Sequence, residues 1–434
     1  MPAAPETATI YAYQVGFGDC ILVRFAYAGG ALRHMLIDFG TTGLPEHAEK
    51  TQMLQVAQDI QGKVREGDPD RRLDVLVATH RHADHISGFA TRDGVGSGDV
   101  IRALDPRFIV QPWTEAPEAP LDWEGPDASV TGQALRQRRA SLQAMEDAAG
   151  TLVAFADAQA GHLPKALAEQ LRFIGQDNLS NRSAIDNLRT MPGEKRYAYH
   201  GCDLGLASAL PGMDVHVLGP PTLRQTDTIR KQRSSDPDEF WQLAPKRLND
   251  ALAIGDEGKL LFPNARHRLR SKPLLEHRWL QDRIDAANTE MLVGLVRALD
   301  AQMNNTSVIL LLKAGSKTLL FPGDAQIENW AYALQSDMAS LLDDVDLYKV
   351  GHHGSRNATP RSMWRRFTKK SDRSGPGRLT SVLSTKHGKH GSEDRKTEVP
   401  RRTLVTELDA QSNLYSTEAL EPDALYQEVV LDLR

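Results

Sequence analysis

Cysteine is almost missing: the chain of 434 residues holds two, Cys20 and Cys202. They cannot build a disulfide framework, and neither lies in a C-x-x-C pair, a usage that fits a reducing compartment. Long apolar runs are missing too. None reaches the ~18 residues that a membrane-spanning helix needs. The opening stretch "MPAAPETATIYAYQ" has no basic segment followed by an apolar one, so no secretory signal is expected. These absences predict a soluble, cytoplasmic protein without membrane contact. There is also no short-period repeat, no low-complexity tract, no G-x-S-x-G elbow and no G-x-x-x-x-G-K-[ST] loop. Nothing therefore argues for an activated serine nucleophile or a P-loop nucleotide site.

What is present is ordinary in bulk: 40% apolar and 25% charged residues, as in globular proteins. The length exceeds a usual single core, so one large elaborated domain or two are expected. A net charge of −5 excludes a general polycation built to coat nucleic acid. The charge is uneven, however. From Arg361 to Arg402 there are 13 Lys/Arg against 4 Asp/Glu, a local balance of +9.

Hydrophobic periodicity predicts an α/β organisation. "TIYAYQVGFGDCILVRFAY" reads as two strands joined at Gly16–Asp19, and "RHMLIDFG" as a third ending near Asp38. Residues 45–66 carry helical spacing, and "LDVLVAT" and "RFIVQPW" are further strands. From 115 to 190 and from 222 to 300 the pattern is polar and helix-like, with strand signals in "MDVHVLGPP" between them. Strands resume in "TSVILLLKAGSKTLLFPGD", "DLYKVGHHG", "LTSVLST" and "LYQEVVLDLR". The expected organisation is a β-rich first part at 1–114, largely helical insertions at 115–300 around a core strand near 213–221, and a β-rich last part at 301–434.

The chemistry concentrates where "LDVLVAT" stops. Thr79-His80-Arg81-His82-Ala83-Asp84-His85 reads H-x-H-x-D-H. In extended chain leaving a strand, residues two apart point the same way, so His80 and His82 can grip one ion. If the chain then turns into a helix, Asp84 and His85 can reach a second. Asp324 ends another apolar strand beside Gly323, where a carboxylate could bridge two ions, and His352-His353 end the next strand. Neutral imidazole and carboxylate suit Zn²⁺ and, with more oxygen, Mn²⁺.

These segments together resemble the metallo-β-lactamase fold superfamily, and within it the branch holding the C-terminal domain of ComEC-type DNA-uptake proteins. "QVGFGDCILVRF", "HMLIDFG", "VATHRHADHISGF", "NNTSVILLL", "LLFPGDA" and "DLYKVGHHGS" carry the resemblance, with "MDVHVLGPP" as weaker support. It implies a four-layer αββα sandwich with two divalent metals, Zn²⁺ or Mn²⁺, at one edge. By the same resemblance His80 and His82 would hold the first metal, Asp84 and His85 the second, and Asp324 would bridge. One of His352 and His353 would complete the second site, the other contacting a phosphate oxygen. Asp38 would orient a ligand histidine from behind, and Asp19 is a second candidate for that role, though a turn carboxylate serves equally well. Two departures stand out. A third histidine for the first metal is missing, the chain reading Asn304-Asn305-Thr306-Ser307 there, with His200 and His216 as substitutes to be considered. The family's late Tyr-Gly-His-Pro is replaced by Lys386-His387-Gly388-Lys389-His390-Gly391.

The resemblance implies hydrolysis by metal-activated water. Asp84 is the residue expected to combine ligation with orientation of the attacking water, with His353 and His390 as further catalytic candidates. Arg81, Ser355, Lys386 and His387 are candidates to bind substrate. The basic segment, with Trp364 and Phe367 among its Lys and Arg, would suit a phosphate backbone and stacked bases, or be a solvated loop. Three functions follow. The first is a nuclease or phosphodiesterase acting on DNA or RNA. The second is a hydrolase of a small phosphodiester headgroup, cyclic nucleotide or lactone in a lidded pocket. The third is a non-catalytic module binding a protein partner through 115–190 and 222–300.

Overall fold

The computed structural model of the chain describes residues 4–116, 182–222, 225, 304–355, 357–391, 393 and 398–434. All fall in one compact unit drawn from Met1–Leu135, Ser180–Asp227 and Met303–Arg434. Most of the segments expected as helical insertions, and any partner surface on them, lie outside the described residues.

Two sheets carry the unit. The first holds β1 (Thr7–Tyr13), β2 (Cys20–Ala26), β3 (Leu32–Phe39), β4 (Val75–Val77), β5 (Phe108–Pro112), β6 (Glu194–Ala198) and β13 (Tyr426–Asp432), ordered β13-β1-β2-β3-β4-β5-β6. The second holds β7 (Met213–Gly219), β8 (Ile309–Ala314), β9 (Lys317–Phe321), β10 (Leu347–Lys349), β11 (Thr380–Leu383) and β12 (Asn413–Ser416), ordered β12-β11-β10-β9-β8-β7. β3 to β6 are mutually parallel, as are β9 to β12, while β13, β1 and β2 and, in the other sheet, β7 and β8 add antiparallel pairs.

Period-two patterning explains the layering. In β1, Ala8, Ile10 and Ala12 join a core between the sheets with Ile21, Val23 and Phe25 of β2 and Leu310, Leu312 and Phe321 of the second sheet. The alternate residues Tyr11, Tyr13 and Leu22 face outward onto α1 (Gln52–Val64), α3 (Ser97–Arg102) and α4 (Arg182–Thr190), through Val56, Ile60, Ile101 and Leu188. On the other side Ile309, Leu311 and Tyr348 pack under α5 (Ile327–Gln335), α6 (Arg361–Arg366) and α7 (Arg402–Gln411), through Trp330, Met363, Trp364 and Leu408. The result is helices, sheet, sheet, helices: the αββα sandwich expected from the sequence.

Within the segment expected as insertion, β6 and α4 join β7 as working parts of the sandwich. β6 pairs in parallel with β5, and of its residues only Ala198 is fully buried, so it carries no apolar signature.

Strand direction sets the position of the site. The parallel strands β3, β4, β9, β10 and β11 deliver Asp38, the H-x-H-x-D-H stretch, Asp324, His352-His353 and Ser384 at their carboxyl ends. β2 runs antiparallel to β3, so Asp19, just before it, reaches the same edge. A carboxyl-end edge is where open α/β sheets leave room for ligands.

Candidate metal centre

After β4 the backbone stays extended, and Val308 N–H donates to Thr79 O across the sheets at 2.9 Å. His80 and His82 follow, with His80 Nε2 and His82 Nδ1 3.1 Å apart. The short helix α2 (Ala83–Ile86) then turns Asp84 and His85 into the same buried edge. Two overlapping groups result. His80, His82 and Asp84 form one; Asp84, His85, Asp324 and His353 form the other; within each, the donor atoms lie within 4.8 Å of one another. Asp84 thus belongs to both, whereas Asp324, the residue expected to bridge, stands with the second group only.

The histidines are held from behind. His85 Nδ1–H donates to Asp38 Oδ2 at 2.7 Å, so in the neutral ring that a metal requires Nε2 is the nitrogen left to ligate. That Nε2 lies 3.1 Å from Asp324 Oδ2 without hydrogen-bond alignment, both atoms facing the interior of the group. His353 Nδ1 donates to Ser384 O at 3.1 Å, and its Nε2 is 3.0 Å from Asp84 Oδ2. Asp38 also accepts from Thr79 N–H and Thr79 O–H, each at 2.7 Å. Thr79 Oγ1 in turn lies 3.2 Å from His80 Nδ1 and is free to accept from it, so one carboxylate orders two of the clustered histidines.

Tight backbone makes this possible. Asp38, His352 and His353 adopt φ of 55°, 45° and 51°, left-handed conformations that cost non-glycine residues roughly 1–2 kcal/mol each. Gly40 lies against α2, where an added Cβ would sit 2.5 Å from Ala83 O and His85 N. Only glycine allows the turn after β3 to come so close to the backbone that carries Asp84 and His85.

The electrostatics follow from burying four carboxylates with four imidazoles. Burial alone would raise Asp84 and Asp324, but His85 and His353 outweigh it and hold both below the usual carboxylate range. Burial would lower His85, yet Asp324, Asp38 and Asp84 raise it well above the ordinary value. His80 is pushed far down by burial and by His85 and His82, so it is a neutral imidazole. Asp84 Oδ1 is buried without a hydrogen-bond partner, an expense that a cation would remove. Nitrogen and oxygen donors, one unsatisfied carboxylate oxygen and the Nε2 atoms of His85 and His353 turned into the same group fit divalent cations, which would take the place of the Nε2 protons.

Of the adjacent histidines, His353 is fully buried in the second group. His352 stands at its rim, 23% exposed, with Nε2 3.9 Å from Asp324 Oδ2 and Nδ1 3.1 Å from Ser355 Oγ. His390 reaches the same edge by packing on Phe17 at 4.4 Å, and Phe17 lies 4.3 Å from the His353 ring. Burial pushes His390 down to about 4, so near pH 7 it is neutral and suited to donating a hydrogen bond rather than a proton.

Other candidates are engaged elsewhere. Arg81 makes a two-pronged pair with Glu115 at 2.9 and 2.7 Å, so a carboxylate already holds its guanidinium. Lys386 donates to Leu44 O, and His387 is half-exposed and bonded to Glu418. His200 donates from Nδ1 to Leu218 O at 2.8 Å, and His216 sits in β7 opposite Leu311; neither stands with the metal groups. The expectation that Trp364 and Phe367 stack on bases is corrected. Both are buried in the core beneath α6, and Trp364 Nε1 bonds to Glu407. Several basic residues of that segment are structural as well: Arg366 pairs with Asp343, Lys369 with Asp346, and Arg378 donates to backbone carbonyls. Sequence reasoning missed Thr79, Phe17, Ser384 and Lys349. Of these only Thr79, beside the histidine cluster, had a legible position.

Residues 13–91, from the end of β1 past α2, match the family model described as the metallo-beta-lactamase superfamily. The αββα architecture is that of the metallo-β-lactamase sandwich. The matched stretch contains Asp19, Asp38, His80, His82, Asp84 and His85, while Asp324 and His353 come from outside it and complete the second group in space. Members of that superfamily are mostly metal-dependent hydrolases that bind divalent ions. No curated protein matches the chain. Among the described residues no helix is long and apolar enough to cross a membrane.

Proposed function

We propose that this protein is a metal-dependent hydrolase of phosphodiesters that works with two divalent ions. The observation that carries the reading is the pair of buried donor groups sharing Asp84. Bound cations would supply Lewis acidity that polarises a phosphoryl oxygen and makes a water nucleophilic near neutral pH. The chain's residues do the rest. His80 and His82 would hold one ion and His85, Asp324 and His353 the other, with Asp84 available to either. Asp84 Oδ1, which has no hydrogen-bond partner in the protein, can accept a hydrogen bond from the attacking water and aim it. His390 and the His352–Ser355 pair offer hydrogen bonds to phosphoryl oxygens at the rim.

Nucleic acid is the polymeric substrate this reading favours, on the resemblance to the ComEC-like branch and the +9 balance of residues 361–402. A small phosphodiester is the second reading, and one observation favours it: Trp364 and Phe367 are core residues, so the segment offers no stacking platform. The test is to incubate the protein, with added Mn²⁺ or Zn²⁺, with single-stranded DNA, RNA and bis(p-nitrophenyl) phosphate beside Asp84→Ala. Cleavage of polymer that needs metal and Asp84 supports the nuclease; cleavage of the chromogenic ester alone supports the small-substrate enzyme. No hydrolysis of any of them with either metal rejects both.

A further inference from the structure

Behind the metal groups lies a buried cation that the proposed reaction does not use. Lys349, the last residue of β10, is 3% exposed and forms an ion pair with Asp19, itself buried at the turn before β2. The two residues are 330 positions apart, so the pair joins the first sheet to the strand that delivers His352 and His353. Asp19 occupies a particular place. Its Oδ2 lies 3.7 Å from His85 Nδ1, and its Oδ1, buried without a hydrogen bond, lies 3.8 Å from His353 Nδ1. Asp19 is therefore within a small rotation of competing for both of the ring protons that now go to Asp38 and to Ser384 O. Asp19, Asp38 and His85 form a third acidic cluster beside the two metal groups, and the ammonium at Asp19 is a cation supplied there by the chain itself.

We propose that Lys349 is a positioning residue for the metal centre: by neutralising and anchoring Asp19 it keeps His85 and His353 on their own acceptors, with both Nε2 atoms turned toward the ions. This rests on the metal-centre reading, but not on any substrate. Without the ammonium, Asp19 becomes an uncompensated buried carboxylate whose nearest proton donors are the two ligand imidazoles. Turning either ring toward it swings Nε2 away from Asp84 and Asp324. A lysine that merely fills space would leave the histidines where they are.

The test is Mn²⁺ binding to the full-length, metal-stripped chain by calorimetry, with circular dichroism to establish folding. Lys349→Met is expected to weaken binding by roughly tenfold or more, the scale found when an outer partner of a ligand is lost. In Lys349→Met/Asp19→Asn the rival carboxylate is removed as well, and affinity should return to within about threefold of the parent, a coupling that only a charge role produces. A folded Lys349→Met that binds Mn²⁺ like the parent, or a double variant no better than the single, overturns the proposal. Should the single variant not fold, the double decides alone: folded and binding near the parent's affinity supports the role, and any other result rejects it. A parent chain that binds neither Mn²⁺ nor Zn²⁺ removes the metal centre itself, an outcome distinct from the variants' failure.

Discussion

Replacing Asp38 by Asn isolates the part of the site that the structure explains most fully. Asn keeps the size and tolerates the left-handed φ of 55° at this position, so backbone strain stays out of the comparison. Three donors now reach the carboxylate at 2.7 Å: Thr79 N–H, Thr79 O–H and His85 Nδ1–H. An amide oxygen in the place of Oδ1 retains the first. The amide nitrogen in the place of Oδ2 faces His85 Nδ1, and two donors cannot bond. A metal ligand must be a neutral imidazole, and in that form the ring resolves the conflict by keeping its one proton on Nε2, which directs N–H instead of a lone pair into the metal group. Reversing that swap to bind a metal costs the new hydrogen bond and leaves two opposed donors, roughly 1.5–3 kcal/mol. At about 1.4 kcal/mol per decade this is a tenfold to hundredfold loss of metal affinity. Stability should fall by only about 1–2 kcal/mol, since two of the three contacts survive or reverse. Calorimetric titration with Zn²⁺ and urea unfolding of the metal-stripped protein measure the two effects separately. A folded Asp38→Asn chain binding metal within about twofold of the parent would refute the tautomer argument.

Other perturbations have equally definite outcomes. Gly40→Ala places a Cβ 2.5 Å from the α2 backbone and should cost about 1–3 kcal/mol in urea unfolding, with looser metal binding alongside. Trp364→Ala should destabilise by about 3–5 kcal/mol as a core truncation. A stable Trp364→Ala chain with weakened binding of single-stranded DNA would restore the stacking role. In metal-stripped protein, His85 is raised above 6.5, so its contribution is full below that value and lost as pH rises through the folded one. Asp84 and Asp324 are lowered from 3.8, so theirs is present above that value and lost as pH falls. The stability difference between the metal-stripped parent and His85→Gln should therefore be full below pH ~6.5 and shrink as pH rises above it, and a difference that grows above pH 6.5 contradicts the assignment.

The site was legible wherever an apolar strand ends in metal-capable residues: Val77 before His80, Phe321 before Asp324, Lys349 before His352. Strand ends are local, and their side chains alternate predictably. What lay beyond reach depended on contacts distant in sequence. Nothing near Lys349 points to Asp19, and the choice between His352 and His353 is made by a left-handed turn that buries one ring and leaves the other at the rim. The strands β6 and β12 are short and only partly buried, so neither alternates clearly. The charged neighbours of Trp364 and Phe367 mask their core role in the sequence. Met363 and Trp364 lie on α6 and Phe367 directly after its end, and apolar residues at i, i+1 and i+4 among charged ones are the signature of a core stripe.

The most direct measurement is the hydrolysis of bis(p-nitrophenyl) phosphate by metal-stripped protein, titrated with Mn²⁺ or Zn²⁺, beside Asp84→Asn. Asp84 belongs to both donor groups, so turnover should appear only with metal, saturate at two ions per chain and vanish in the variant. A variant that hydrolyses the ester as fast as the parent, or a parent whose activity survives stripping, would contradict a metal centre built around Asp84.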